Sequence, residues 1–212
     1  ISRGEGAIVL GNIVGSNIAN IFLVLGVIVI IKPLDINFSS LKQGLIYLLI
    51  ATFCLMIMIL NQQLDYIAGF VLLILFCTYM ISQFKNTKDN DFDSSLSKED
   101  FKLLYILYII IGSIVLGNGS HLFINSSIQI ASFFNVPKIV ISVSLVAFGT
   151  SVPELVTSIV ALRKGEPNFV IGNIIGSNII NIFLVLGSSL IISDIYVTIL
   201  GVFYPFIFMV IS

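Results

Sequence analysis

Charged residues are scarce in this chain of 212 residues. Asp, Glu, Lys and Arg make up only 10% of it and hydrophobic residues 58%, whereas about a quarter of the residues in a soluble domain are charged. This composition excludes an ordinary water-soluble protein and indicates a protein of the lipid bilayer. The formal net charge of −1 also argues against nucleic acid as a partner, because no basic stripe exists to neutralise phosphates.

Cysteine and histidine are nearly absent. The two cysteines, Cys54 and Cys77, lie within apolar runs, where a small buried thiol is much commoner than a disulfide or a metal ligand. The one histidine, His121, has no second ionisable group near it in sequence, and we interpret it as a packed or cavity-facing residue rather than a proton relay. The sequence predicts neither a cofactor nor an enzymatic activity.

Long segments without charged residues predict seven membrane-spanning helices, since about 20 apolar residues are needed to cross the hydrocarbon core. We interpret the longest segment as one tilted helix, loosened at Gly117-Asn118-Gly119, because two crossings would need about 40 residues and a turn. A single charge, Glu154, lies within the fifth span. The predicted spans are 6–31, 43–64, 66–84, 103–137, 139–162, 167–193 and 195–212.

Basic residues are distributed unequally between the predicted loops. If residues 1–5 lie outside, only Arg3 and Lys138 lie on the outer side of the membrane. Positive charge accumulates on the cytoplasmic side of membrane proteins, and this distribution therefore fixes the predicted orientation. The inner loops contain Lys32, Lys42, Lys85, Lys88, Lys98, Lys102, Arg163 and Lys164.

A segment of 16 residues occurs twice. The first copy, 11–26, returns as the second copy, 172–187, with 14 of the 16 positions identical. The copies fall in the first and sixth predicted spans, an odd number of crossings apart, so they run in opposite directions through the membrane. Inverted repeats in an apolar chain are typical of secondary transporters, whose substrate lies where the repeats meet.

Glu154 is the strongest candidate for a functional residue, because a charge inside the bilayer costs about 2.5–3.5 kcal/mol or more. The preceding Pro153 cannot donate a backbone hydrogen bond and displaces the carbonyl of Gly149, which predicts a broken helix with free carbonyl oxygens. A carboxylate, hydroxyls and carbonyls form a hard, all-oxygen environment that suits Ca²⁺ or Na⁺. Helical spacing places Thr150, Glu154 and Ser158 on one face, and Ser151 lies three residues from Glu154.

The repeated segments add polar residues to this environment. Ser16 and Asn20 are four residues apart and share a helix face, as do Ser177 and Asn181. One such pair alone more often forms interhelical hydrogen bonds than a binding site, but two inverted copies beside a buried glutamate favour binding. Glycine faces that let backbones approach closely are also predicted, at Gly11 and Gly15 and at Gly172 and Gly176.

The segment 85–102 is the most polar part of the chain. The stretch 89–93 has the odd-position acids of a calcium loop, but the sixth position is Ser94 instead of Gly and the twelfth is Asp100 instead of Glu. We therefore interpret the segment as a solvated cytoplasmic linker rather than a calcium sensor. Ser97 is predicted to cap the helix that follows it.

These motifs resemble the cation/Ca²⁺ exchanger superfamily, the Na⁺/Ca²⁺ exchangers and their prokaryotic relatives. The resemblance is carried by Gly149-Thr150-Ser151-Val152-Pro153-Glu154 and by two Gly-Asn-x-x-Gly-Ser-Asn-x-x-Asn segments. It implies an all-α, polytopic membrane fold of ten helices in two inverted sets of five, of which this chain would supply about seven. The short linker implies a prokaryotic member, an integral, multi-pass protein of a bacterial or archaeal cytoplasmic membrane.

The resemblance also implies a division of the chain and a set of ligands. Residues 1–84 would form the C-terminal part of the first repeat, 85–102 the cytoplasmic linker, and 103–212 the second repeat without its last span. Asn181 stands where several branches of the family have aspartate, so ion stoichiometry and K⁺ dependence stay open. The implied metal ligands are Glu154 through its carboxylate, Thr150 through its carbonyl, Ser151 through its hydroxyl, Ala147 through its carbonyl, Ser177 and Asn181 in the second repeat, and Ser16 and Asn20 in the first.

The implied function is secondary active antiport, in which Ca²⁺ is exchanged for Na⁺ by alternating access around a mid-membrane oxygen site. Two alternatives stay open: a proton-coupled Ca²⁺ antiporter, and a transport-inactive truncated fragment or partial subunit whose missing helices come from the rest of a full-length chain. A cation channel is disfavoured, because neither charge rings nor a carbonyl-filter sequence is present. The expected partners are the bilayer and the transported Ca²⁺ and Na⁺, with no cofactor.

Overall fold

The computed structural model describes residues 3–61, 64–89, 103–134, 147–195 and 199–211. Over these ranges the chain forms seven helical rods and no β-strand. Two of the rods contain a π-helical turn between two α-helical parts. In chain order the elements are α1 (Arg3–Ala19), π1 (Asn20–Leu25), α2 (Gly26–Ile31), α3 (Phe38–Asn61), α4 (Tyr66–Asp89), α5 (Leu103–Phe133), α6 (Ala147–Arg163), α7 (Pro167–Ile180), π2 (Asn181–Leu186), α8 (Gly187–Ile192) and α9 (Ile199–Ile211).

The helical rods lie within or close to the seven predicted spans, and the all-α, polytopic membrane fold is confirmed. Four rods are long and apolar enough to cross a membrane by length and composition alone. The long helix α5 continues through Gly117-Asn118-Gly119, so the loosening predicted there does not occur. The four membrane-length segments are Val9–Ile31, Phe38–Asn61, Tyr66–Lys85 and Pro167–Ile192.

The two copies of the repeated segment fold identically at the backbone level. In each copy the six residues Asn-Ile-Phe-Leu-Val-Leu form a π-helical turn, which begins at Asn20 in the first copy and at Asn181 in the second. A π turn inserts one extra residue into the helix and occurs frequently at functional sites. The same sequence thus adopts the same uncommon conformation twice, in two different surroundings.

The second copy lies at the centre of the molecule and packs against several helices. Helix α7 packs on α3 and α6, and α8 packs on α4. Helices α4 and α8 approach each other closely, since a Cβ built at Gly69 would lie 2.8 Å from the carbonyl oxygen of Gly187. A Cβ at Gly172 would meet no atom within 4 Å, and one at Gly176 only the Tyr79 hydroxyl at 3.6 Å. The close backbone approach predicted at these two glycines is therefore wrong.

Helix α6 carries Glu154 and does not break at Pro153. It is continuous from Ala147 to Arg163 with the proline inside it, because a proline removes only one helical hydrogen bond and neighbouring groups can compensate for it. Pro167 occupies the first turn of α7, where its missing N–H has no helical partner to lose.

Several predictions concern residues outside the described ranges. Residues 85–89 of the predicted linker continue helix α4, and the rest of the linker lies outside the described residues. The calcium-like stretch beyond Asp89 and the predicted cap at Ser97 lie there too. The first part of the fifth predicted span, before Ala147, is likewise outside the described residues.

Candidate cation-binding site

Four asparagines join the two copies of the repeat. We call Asn17, Asn20, Asn178 and Asn181 the asparagine layer. The Nδ2 atom of Asn20 donates to Oδ1 of Asn178 at 2.8 Å, and the Nδ2 atom of Asn181 donates to Oδ1 of Asn17 at 2.9 Å. The later asparagine of the first copy, Asn20, pairs with the earlier one of the second copy, and Asn17 pairs with the later one. The two copies therefore run in opposite directions where they meet.

The two bonds of the asparagine layer are also equivalent to each other. Asn17 and Asn178 occupy the same place in the two copies, 161 positions apart, and so do Asn20 and Asn181. In both bonds the later asparagine of one copy donates to the earlier asparagine of the other. This is the geometry of an inverted repeat with its pseudo-two-fold axis passing through the layer.

Hydroxyl and carbonyl oxygens form a continuous line between α1 and α6. The Oγ atom of Ser16 lies 2.7 Å from the carbonyl oxygen of Asn12 and 2.8 Å from Oγ1 of Thr150. The Thr150 Oγ1 atom in turn lies 2.9 Å from the carbonyl oxygen of Ala147. Two hydroxyl hydrogens are therefore shared among three oxygen–oxygen contacts, which leaves one contact without a hydrogen between its oxygens. A cation can satisfy such a pair of oxygens.

Ser151 extends this line of oxygens on the buried side of α6. Its side chain is only 1% exposed. Its hydroxyl lies 3.2 Å from the carbonyl oxygen of Ala147 and 3.4 Å from that of Ser16. Two hydroxyls thus converge on the Ala147 carbonyl at the start of α6. The structure therefore places Ser16, Thr150, Ser151 and Ala147 in one cluster of oxygens.

Glu154 lies one turn further along α6, between α6 and α7. The side chain of Ser177, on α7, lies beside its carboxylate. The amide of Asn173, also on α7, reaches the Glu154 backbone carbonyl at 3.4 Å and the Ser158 hydroxyl at 3.2 Å. Thr150 thus faces the first copy and Ser158 the second, so the polar face of α6 lies between the two copies.

Two buried oxygens in this region have no hydrogen-bond partner. Among the described residues, the buried side-chain nitrogen and oxygen atoms left without a partner are Asn20 Oδ1 and Glu154 Oε2. Buried polar atoms are nearly always hydrogen-bonded, so each exception needs an explanation. Both exceptions are acceptor oxygens on residues that the sequence predicts as cation ligands, and a bound cation would satisfy them.

All eight predicted ligands lie on α1, α6 and α7 or on the first residue of the π turns that continue α1 and α7. Ser16, Thr150, Ser151 and Ala147 form the oxygen cluster, Ser177 contacts Glu154, and Asn20 and Asn181 belong to the asparagine layer. The sequence reasoning missed Asn17 and Asn178, which complete the layer. Their signal was present, because both asparagines lie inside the repeated segment.

Comparison with known proteins identifies the family. The profile of the family described as "Sodium/calcium exchanger protein" matches residues 1–85 and 104–212. The chain belongs to this sodium/calcium exchanger family. It is similar to the putative antiporter CaxA of Alkalimonas amylolytica, with 32% identity over 191 residues that cover 86% of this chain and 60% of CaxA.

Two further similarities agree with the family. The sodium/calcium exchanger MaX1 of Methanosarcina acetivorans is 28% identical over 241 residues, which cover 93% of this chain and 65% of MaX1. A solved structure of the sodium-calcium exchanger NCX_Mj, soaked with Na⁺ and Sr²⁺, superposes with a TM-score of 0.76 at 33% identity and covers 97% of this chain and 67% of that one. The chain thus spans less than two thirds of the length of its curated relatives CaxA and MaX1.

Proposed function

We propose that the protein containing this chain is a secondary active antiporter that exchanges Ca²⁺ for Na⁺ across the membrane. In this proposal the ions compete for one oxygen site between α1, α6 and α7. The two inverted copies form opposite sides of the site, and alternating access exposes it first to one side of the membrane and then to the other. Residues 1–84 and 103–212 belong to the two repeats, joined by the linker 85–102.

The observation that carries the proposal is the pair of buried oxygens without a partner, Asn20 Oδ1 and Glu154 Oε2. An unpaired buried acceptor costs about 1–3 kcal/mol, and more when it is charged. That cost is removed when a cation binds to the acceptor. The oxygen line from Asn12 through Ser16 and Thr150 to Ala147 has the same property, since it has fewer hydrogens than contacts.

The ligand chemistry favours hard cations. The atoms that converge on the site are amide, hydroxyl, carbonyl and carboxylate oxygens, which suit Na⁺ and Ca²⁺ and bind softer metals poorly. Glu154 is the one carboxylate among the eight predicted ligands, so these residues balance the charge of one Na⁺ but only half the charge of one Ca²⁺. The named relatives MaX1 and NCX_Mj are sodium/calcium exchangers, which supports the same pair of ions.

The test uses the complete protein that contains this chain, reconstituted in lipid vesicles loaded with Na⁺. Dilution into Na⁺-free medium with ⁴⁵Ca²⁺ should drive Ca²⁺ uptake, and Glu154→Gln should reduce that uptake to the level of empty vesicles, because it removes the one carboxylate among the eight predicted ligands. Glu166→Gln is the matched control, since Glu166 is exposed in the turn before α7 and should leave uptake unchanged.

The same vesicles distinguish the alternatives. Uptake driven by a pH gradient but not by a Na⁺ gradient would identify proton-coupled antiport. Wild-type protein that transports Ca²⁺ under neither gradient would contradict the proposal. Undiminished Na⁺-driven uptake by Glu154→Gln would leave the activity in place and reject the assigned site.

A further inference from the structure

Each amide predicted to bind the cation is hydrogen-bonded to the opposite copy of the repeat. Asn20 donates to Asn178 at 2.8 Å and Asn181 donates to Asn17 at 2.9 Å. Asn17 and Asn178 are 1% and 2% exposed, and neither belongs to the predicted ligand set. Their positions behind the two ligand amides require a separate explanation.

The orientation of an asparagine amide decides what a cation meets. One end of the group is an oxygen that binds cations, and the other end is an NH₂ that repels them. Because Asn20 uses its NH₂ to donate to Asn178, its oxygen is left at the other end, buried and without a partner. A 180° rotation of the Asn20 amide group would exchange its NH₂ and its oxygen and place that oxygen about 2.8 Å from the Asn178 oxygen. Two acceptor oxygens at this distance repel each other.

The orientation of Asn17 is fixed by an acceptor that cannot turn. Its NH₂ faces the backbone carbonyl oxygen of Asn178 at 3.5 Å and the sulfur of Met209 at 3.7 Å. Both atoms are acceptors, so the Asn17 oxygen is directed the other way, towards the NH₂ of Asn181. A backbone carbonyl of the second copy thus determines the orientation of the Asn17 amide, and the Asn17 amide determines the orientation of the Asn181 amide.

We propose that Asn17 and Asn178 are positioning residues that hold the ligand amides with their oxygens towards the cation. Asn178 orients Asn20, and Asn17 orients Asn181. The inference rests on the proposed cation site and adds that each copy orients a ligand of the other. It also predicts a specific pattern of coupling, because Asn178 lies three residues from Asn181 on its own helix and yet acts on Asn20.

The first measurement is equilibrium binding of ⁴⁵Ca²⁺ to the purified full-length protein in detergent. Asn178→Leu removes the acceptor and should weaken binding about tenfold, the effect of one lost hydrogen bond that holds a ligand. Asn178→Asp keeps an acceptor oxygen at the same place and should bind at least as tightly as wild type. Thr52→Val is the control, because Thr52 lines the same cleft as Asn178 but bonds only within its own helix.

The second measurement is a double-mutant cycle, which separates positioning from general damage. Asn178→Leu should have no further effect on binding when Asn20 is already alanine, and its full effect when Asn181 is alanine. Asn17→Leu should show the reverse pattern. A merely structural role would weaken binding in both backgrounds alike, and that result would overturn the inference.

The outcomes also separate this inference from the proposed function. Wild-type protein that binds neither Ca²⁺ nor Na⁺ would contradict the proposed function itself. Wild-type binding with the wrong coupling pattern would contradict only the positioning role. If Asn178→Leu does not fold, Asn178→Asp decides: folded protein with weakened Ca²⁺ binding rejects the inference, and retained binding supports it.

Discussion

The two copies of the repeat have nearly the same sequence and the same backbone, but they lie in different surroundings. Phe183 of the second copy is completely buried, whereas its counterpart Phe22 is 54% exposed. Gly187 packs against α4, whereas a Cβ built at its counterpart Gly26 would meet no atom within 4 Å. The comparison separates what a segment specifies by itself from what its neighbours add.

The shared feature is the π turn, which begins at Asn20 and at Asn181. Since its neighbours differ while its conformation does not, the turn is specified by the local sequence. Burial behaves in the opposite way, because it follows from which helix packs on each face. Helix α4 packs on α8 and π2, and no described helix takes the corresponding position beside α2.

The largest expected difference concerns the phenylalanines. Phe183→Ala should destabilise the protein by about 3–5 kcal/mol, because it opens a cavity in a packed core. Phe22→Ala should cost about 1 kcal/mol, since it removes little more than the stacking contact with Phe208, whose ring centroid is 5.4 Å away. Thermal unfolding in detergent measures both. Equal losses would show that Phe22 is as well packed as Phe183 in the protein.

Substitution of Gly187 and of its counterpart Gly26 by alanine should change the stability of the protein in opposite directions. Gly187→Ala places a methyl 3.2 Å from the Gly69 carbonyl oxygen and 3.2 Å from Leu72 Cβ, neither of which can move easily. We expect a loss of about 1–2 kcal/mol from overpacking. Gly26→Ala meets open space and should stabilise its helix by about 0.5–1 kcal/mol. The same unfolding assay checks both, and a stabilised Gly187→Ala variant would contradict the close helix crossing.

Most of the fold could be predicted from the sequence, because it depends on composition and charge. Segments without charged residues predicted the spans, and most ends of the described helices lie within a few residues of the predicted ones. The duplicated segment predicted that the two repeats run in opposite directions through the membrane. Glu154 could be identified because a carboxylate inside a span is costly. Each of these features can be read along the chain without knowledge of which helices are neighbours.

The asparagine pairing could not be predicted in the same way. Which face of α1 meets α7 depends on how each helix is rotated about its axis, and the sequence does not state that rotation. The π turns add to the difficulty, because an extra residue shifts the phase of every side chain after Asn20 and Asn181. Regular helical spacing identified Ser16 and Asn20 as one face, but not Asn178 as the partner of Asn20.

The smallest expected difference lies within the site, at Ser16 and its counterpart Ser177. Ser16 contacts the neutral hydroxyl of Thr150, whereas Ser177 lies beside the carboxylate of Glu154. Hydrogen bonds to charged groups contribute about 1.5–3 kcal/mol and neutral ones about 0.5–1.5 kcal/mol. Ser177→Ala should therefore weaken ⁴⁵Ca²⁺ binding several-fold more than Ser16→Ala does. Equal losses in a binding titration would contradict this difference, and the two copies would then be equivalent at the site although their surroundings differ.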